Sequence, residues 1–143
     1  MRHFVFAAAF ALAAATAHAA DTPGTDATRA IEAAAYDYID GQLEGDVDRV
    51  TRSLHPDLAK RAIKASNVLE TFPLRRMTTD ELIGLTRRDV LKTPKGEWNR
   101  SVRILDVAGN IATVRVEAPW FVDHLQLGNF DGRWMIVNAV YYP

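Results

Sequence analysis

The chain has 143 residues, 17 Lys and Arg against 18 Asp and Glu, four His and no Cys. Near-neutral charge argues against nucleic acid, which a basic patch would advertise. The lack of cysteine excludes a disulfide framework, thiol catalysis and Cys-bound metal.

Residues 1–19 have a short basic start at Arg2, a short apolar run and a small-residue end, Ala17-His18-Ala19. That layout predicts a secretory signal peptide cut before Ala20. The uninterrupted apolar run is shorter than the ~20 residues a membrane span needs, so no span is expected. The mature chain is then exported, periplasmic or secreted. It keeps 16 bases against 18 acids, with His55 and His124 as its only histidines. Such a length suits one domain with one core.

Residues 20–27 are polar, with a Pro and a Gly, and read as a disordered lead-in to a domain over 28–143. A helix then begins at Asp26 or Thr28. Ile31, Ala34, Ala35, Tyr38, Ile39 and Gln42 recur at spacings of three and four, which makes one buried stripe. Gly45 suits a C-terminal cap, and Asp46 suits the N-cap of a shorter second helix. Pro56 biases His55 away from helix; Asp57 to Ala65 reads equally as helical turn or extended chain. Val68 to Met77 fits a small hairpin or irregular arm. Thr78 and Glu81 have capping-box spacing, so a third helix is predicted from about Thr79 to Arg88.

The remainder alternates. Ser101–Val107 and Ile111–Glu117 read as strands, with Val114 and Val116 on one face, and Pro119 marks a kink or bulge. Phe121 to Tyr142 reads as two long strands joined at Asp131-Gly132, a favoured tight-turn pair. The expected register sets Asn129 opposite Trp134, Leu127 opposite Ile136, Leu125 opposite Asn138 and His124 opposite Ala139. One face then carries Val122, His124, Gln126, Met135, Val137, Ala139 and Tyr141. The other carries Phe121, Leu125, Leu127, Trp134, Ile136 and Val140. Helices early and a strand meander late give an α+β fold. We expect a cone-shaped barrel of curved antiparallel sheet packed around the N-terminal helices, with a central pocket at its open end.

Tyr38-Ile-Asp-Gly-Gln-Leu-Glu-Gly-Asp46, Leu54-His-Pro-Asp-Leu-Ala-Lys-Arg61, Thr79-Asp-Glu-Leu-Ile83, Asp123-His-Leu-Gln-Leu127 and Asp131-Gly-Arg-Trp-Met-Ile-Val-Asn138 stand out as segments. Together they resemble the putative lumazine-binding family of the nuclear transport factor 2-like superfamily. The superfamily also holds SnoaL-like cyclases and ketosteroid isomerases, and the resemblance spans about residues 28–142. It implies the same cone-shaped barrel. The isomerases have a tyrosine on the first helix, an aspartate base after the second and a protonated aspartate on a late strand. By position, the resemblance puts Tyr38 at the tyrosine and His124 near the late acid. The base position falls at Arg61-Ala62-Ile63, which has no carboxylate, and Asp57 lies earlier. General-base catalysis needs a base within hydrogen-bond reach, so the enzyme reading is weakened.

The candidate ligand-binding residues are therefore Tyr38, His55, Trp120, His124 and Gln126. Four of the five have a plainer reading: core packing for Tyr38 and Trp120, a helix-end hydrogen bond for His55, and an exposed strand face or a satisfied core position for His124. The His55 and His124 positions lack a local metal-ligand spacing, and no metal or cofactor is expected. Asp37, Asp40, Glu44, Asp46 and Asp48 read as a solvated acidic surface. The expected function is an exported domain that binds a small hydrophobic or aromatic ligand. The alternatives are a lyase, isomerase or cyclase that polarises a carbonyl with Tyr38 and His124, and a purely structural dimerisation domain. The apolar hairpin face with Trp134 and Ile136 predicts a homodimer through the outer sheet face.

Overall fold

A computed structural model describes residues 24–64 and 73–142. The expected signal peptide, and part of the expected arm at 68–77, lie outside them.

Helix α1, Thr25–Glu44, forms where the stripe predicts it, and buries Ile31, Ala34, Ala35, Tyr38, Ile39, Gln42 and Leu43. It ends at Gly45, whose φ of 75° is left-handed backbone that glycine adopts without steric cost. Asp46 caps α2, Val47–Ser53, by accepting the Arg49 amide hydrogen at 3.0 Å. The two helices approach closely at Gly41, where an added Cβ would lie 2.8 Å from Val50 Cγ2 and 3.0 Å from the Val50 nitrogen. The capping box at Thr78 and Glu81 starts α3, Thr79–Arg87.

The segment that read two ways is a strand. β1, Leu54–Ile63, leaves α2 directly and turns Leu58, Lys60 and Ala62 inward. Pro56 keeps the chain out of helix as it leaves α2. β2, Leu74–Met77, pairs with it antiparallel. β3, Ser101–Ala108, β4, Ile111–Ala118, β5, Phe121–Phe130, and β6, Arg133–Tyr142, form the late meander. The sheet order is β2-β1-β6-β5-β4-β3. β1 and β6 run parallel, so the sheet is mixed rather than purely antiparallel. It curves around α1 without closing.

Pro119 and Trp120 form a tight turn between Ala118 and Phe121, which are paired, rather than a kink within a strand. Asp131 and Gly132 both have positive φ, 53° and 90°, as the tight hairpin requires. From there the expected register holds at Asn129–Trp134 and Leu127–Ile136. It then shifts by one at a bulge. Gln126 pairs with Asn138, Leu125 with Ala139 and His124 with Val140. An extra residue, Val137, re-aims everything beyond it.

The consequence is a correction of the two hairpin faces. Asp123, Leu125, Leu127, Trp134, Ile136 and Ala139 are buried beneath the helices, whereas His124 and Gln126 are exposed on the outside. Leu125, Leu127, Trp134 and Ile136 therefore belong to the core, not to a dimer surface. Burying the apolar side chains outweighs burying a histidine and a glutamine, which would each need partners.

Candidate functional site

Three polar side chains meet inside the cone. Tyr38 comes from the buried stripe of α1, Lys60 from β1 and Asp123 from β5; Tyr38 and Asp123 are fully buried and Lys60 is 4% exposed. The Tyr38 hydroxyl donates to Asp123 Oδ2 at 2.6 Å. Lys60 Nζ lies 2.7 Å from both Asp123 oxygens and 2.5 Å from the Tyr38 oxygen, donating to these acceptors. Burying two opposite charges is costly unless the pair is close and its remaining hydrogen-bonding capacity is used. Both conditions are met here.

The environment moves the proton affinities in known directions. Burial pushes the Tyr38 hydroxyl well above its ordinary value, and the Asp123 carboxylate adds to this. Burial lowers Lys60, more than Asp123 restores it, and Arg75 adds like-charge repulsion. Lys60 Nζ also sits 4.4 Å from the Tyr141 ring centre and 5.3 Å from that of Phe121. Aromatic faces are a favourable setting for a cation with little water.

This cluster borders a cavity of about 210 Å³ between the helices and the open edge of the sheet. Gln42, Lys60 and Tyr141 supply polar groups to its wall, and Arg75 contributes a guanidinium. Met77, Leu82, Leu85, Val90, Leu91, Trp120 and Phe121 make the rest mainly apolar. A few polar groups converging in an apolar concavity are what a small-molecule site needs.

The model for the family described as putative lumazine-binding matches residues 26–142. The chain belongs to this putative lumazine-binding family. None of the curated proteins matches it. Among solved structures it is similar to a nuclear transport factor 2-like protein of unknown function from Silicibacter pomeroyi. The two are 21% identical with a TM-score of 0.66, covering 80% of this chain and 93% of that one. A second such protein of unknown function, from Shewanella baltica, is 19% identical with a TM-score of 0.66, covering 85% and 97%. A ketosteroid isomerase-like protein from Erwinia carotovora atroseptica is 16% identical with a TM-score of 0.51, covering 79% and 92%. These likenesses show the nuclear transport factor 2-like fold.

Within this lumazine-binding-family cone, the five expected site residues do not gather in one place. Trp120 lines the cavity, 46% exposed at its rim. Tyr38 lies beneath it, joined through Lys60. His124 is on the opposite side of the sheet, with its Nε2 3.3 Å from Arg115 Nη1. Gln126 is also outside, and accepts a hydrogen bond from Asn138 at 2.8 Å. Tyr38 and His124 thus cannot act on one carbonyl, because the sheet separates them. His55 is half-buried and stacks on Phe130, ring centres 5.0 Å apart, away from the cavity wall. Its carbonyl accepts from Thr79 Oγ1, so its backbone joins β1 to α3.

Lys60 and Asp123 are the residues that sequence reasoning missed. The resemblance led to an acid near residue 124, and the acid that meets Tyr38 is Asp123, one position earlier. The inward alternation of Leu58, Lys60 and Ala62 was present in the sequence, but a lysine beside Arg61 reads as surface. The acidic residues of α1 are likewise more than solvated charge. Arg49 pairs with Asp37, Asp40 and Glu44, and Arg100 clasps the buried Asp40 at 2.6 Å and 3.0 Å. This network ties α1 to α2 and to the chain entering β3. Among the described residues, no three or more His, Asp or Glu side chains come together as a metal site.

Proposed function

We propose that the chain binds a small, flat, hydrophobic or aromatic molecule in the cavity bordered by Lys60, Trp120 and Tyr141. The observation that carries this reading is an apolar wall closing on one buried amine, with a carboxylate and a phenol behind it. Family membership and the fold support it. Trp120 supplies a face for stacking, Gln42 and Lys60 supply orientation, and Tyr38 acts through Lys60 and Asp123. His124, Gln126 and His55 have no part in this cavity. Binding is the function, and no reaction follows from the family or the fold.

Thermal melting with flavin precursors, pteridines and apolar aromatic carbonyl compounds tests the reading. At least one class raises Tm in a saturable way, and Leu85→Trp, which fills the cavity, abolishes the shift. A shift that survives in Leu85→Trp, or no shift with any class, would overturn it.

The same reading places the protein outside the cytoplasm, on the strength of residues 1–19. Among the described residues no helix is long and apolar enough to cross a membrane. It also makes the protein a homodimer through the outer sheet face. Support comes from the exposed Ile63, Val140 and Tyr142, at 66%, 41% and 74%, around an open groove that includes Val122 and His124. Apolar side chains clustered in this way favour cover by another surface. Light scattering detects a dimer, and Val140→Arg shifts it to monomer. A wild-type monomer at micromolar concentration contradicts this arrangement.

A further inference from the structure

We propose that Lys60 captures a carbonyl ligand covalently, as a reversible imine at the floor of the cavity. This rests on the binding reading and names the ligand class as a flat aldehyde or ketone.

An amine that attacks a carbonyl has three needs. It must shed a proton, approach the carbon without a shell of water, and have a nearby acid to remove the oxygen as water. Lys60 Nζ has Asp123 as a proton acceptor 2.7 Å away. Its remaining surroundings are the Tyr38 hydroxyl oxygen at 2.5 Å, the rings of Phe121 and Tyr141, and the apolar cavity wall. Burial favours the neutral amine over the ammonium, and Arg75 adds to this. The exposed Lys64 and Lys95 lack this cover: Lys95 has a carboxylate contact of its own, Glu44 Oε1 at 3.2 Å, but its side chain is 77% exposed.

The proton balance closes within the cluster. The Lys60 ammonium passes one proton to Asp123, leaving a neutral amine and a carboxylic acid. The amine lone pair forms the C–N bond as the carbonyl π pair moves to oxygen. A proton shift from nitrogen to oxygen gives the neutral carbinolamine. Asp123 returns its proton to the hydroxyl, the C–O bond breaks, and water leaves. What remains is a protonated imine beside the Asp123 carboxylate, so the buried charge pair is restored. Tyr38, hydrogen-bonded to Asp123, holds the carboxylate in place and is a positioning residue.

A structural ion pair alone would give the same distances but no such chemistry, and trapping separates the two. The full chain is incubated with 2-naphthaldehyde and sodium cyanoborohydride, which reduces an imine to a stable amine. Intact mass and peptide mapping then locate the adduct, while melting in 2-naphthaldehyde alone reports binding. The expected result is one naphthylmethyl adduct per chain, on Lys60, formed ahead of Lys64, Lys92 and Lys95. Leu85→Trp keeps Lys60 but loses that adduct. The double variant Lys60→Met/Asp123→Leu removes both charges together, folds by circular dichroism, and gives none. Adducts confined to exposed lysines, with a melting shift that Leu85→Trp abolishes, would overturn the imine and leave the binding reading intact. Neither adduct on Lys60 nor melting shift would overturn the imine and count against binding of this class as well.

Discussion

Lys60 and Asp123 are held together out of water, so the pair is vulnerable to the loss of either member. Removing one partner of a buried ion pair leaves an uncompensated charge and costs about 3–5 kcal/mol. Lys60→Met or Asp123→Leu alone should therefore lower the unfolding free energy in urea by that order. The double variant should recover most of the loss, because an apolar pair of similar volume has no charge to desolvate. Losses that simply add would mean that the two charges are not coupled. Tyr38→Phe removes one donor and one acceptor from the same cluster. The expected cost is about 1–3 kcal/mol, the range for leaving a buried polar group without its partner.

At the scale of elements, the junction of α1 with α2 sets two further expectations. Alanine is favoured over glycine inside a helix by about 1 kcal/mol. At Gly41 the new Cβ would meet backbone of α2 at 3.0 Å as well as the Val50 side chain. Backbone cannot rotate aside as a side-chain tip can, and overpacking typically costs about 1–3 kcal/mol. We expect Gly41→Ala to be net destabilising; a rise in Tm would show that the helices separate freely. The acidic face of α1 contributes a pH dependence. Burial raises the Asp37 carboxyl, but Arg52 and Arg49 outweigh this and hold it below its ordinary 3.8. A carboxyl lowered by folding stabilises the protein fully above its unfolded value. That contribution disappears as pH falls through the lower folded value. Asp37→Asn should lose less stability than wild type between pH ~7 and pH ~3, by an amount on the order of 1 kcal/mol for a partly exposed pair. Equal losses in urea titrations at the two pH values would exclude that role.

For the whole molecule, most of the architecture was legible in the sequence because its signals are local. The stripe of α1, the caps at Asp46 and Thr78, and the Asp131-Gly132 turn each depend on neighbouring residues. β1 was not legible in this way: its strand character comes from pairing with β6, which lies some 80 residues on. The site was hidden for a related reason. The bulge at Val137 and the burial of Leu125 and Leu127 decide the faces of the hairpin, and one residue of slip exchanges them. His124, the more conspicuous residue, consequently lies outside, and Asp123 lies inside. Lys60 resembles a surface lysine until the sheet that encloses it is assembled. The outcome is a cone whose polar interior is built from three elements far apart in the chain.

Ligand is expected to enter this cone beside Lys60. Protein carrying ¹³C at lysine Cε and at histidine Cε1 would be titrated with the aromatic compound that raises Tm most. The Lys60 resonance should move saturably while Lys64, Lys92, Lys95 and His124 stay in place. A still Lys60 with a moving His124 would contradict it, placing the ligand on the outer face of the sheet.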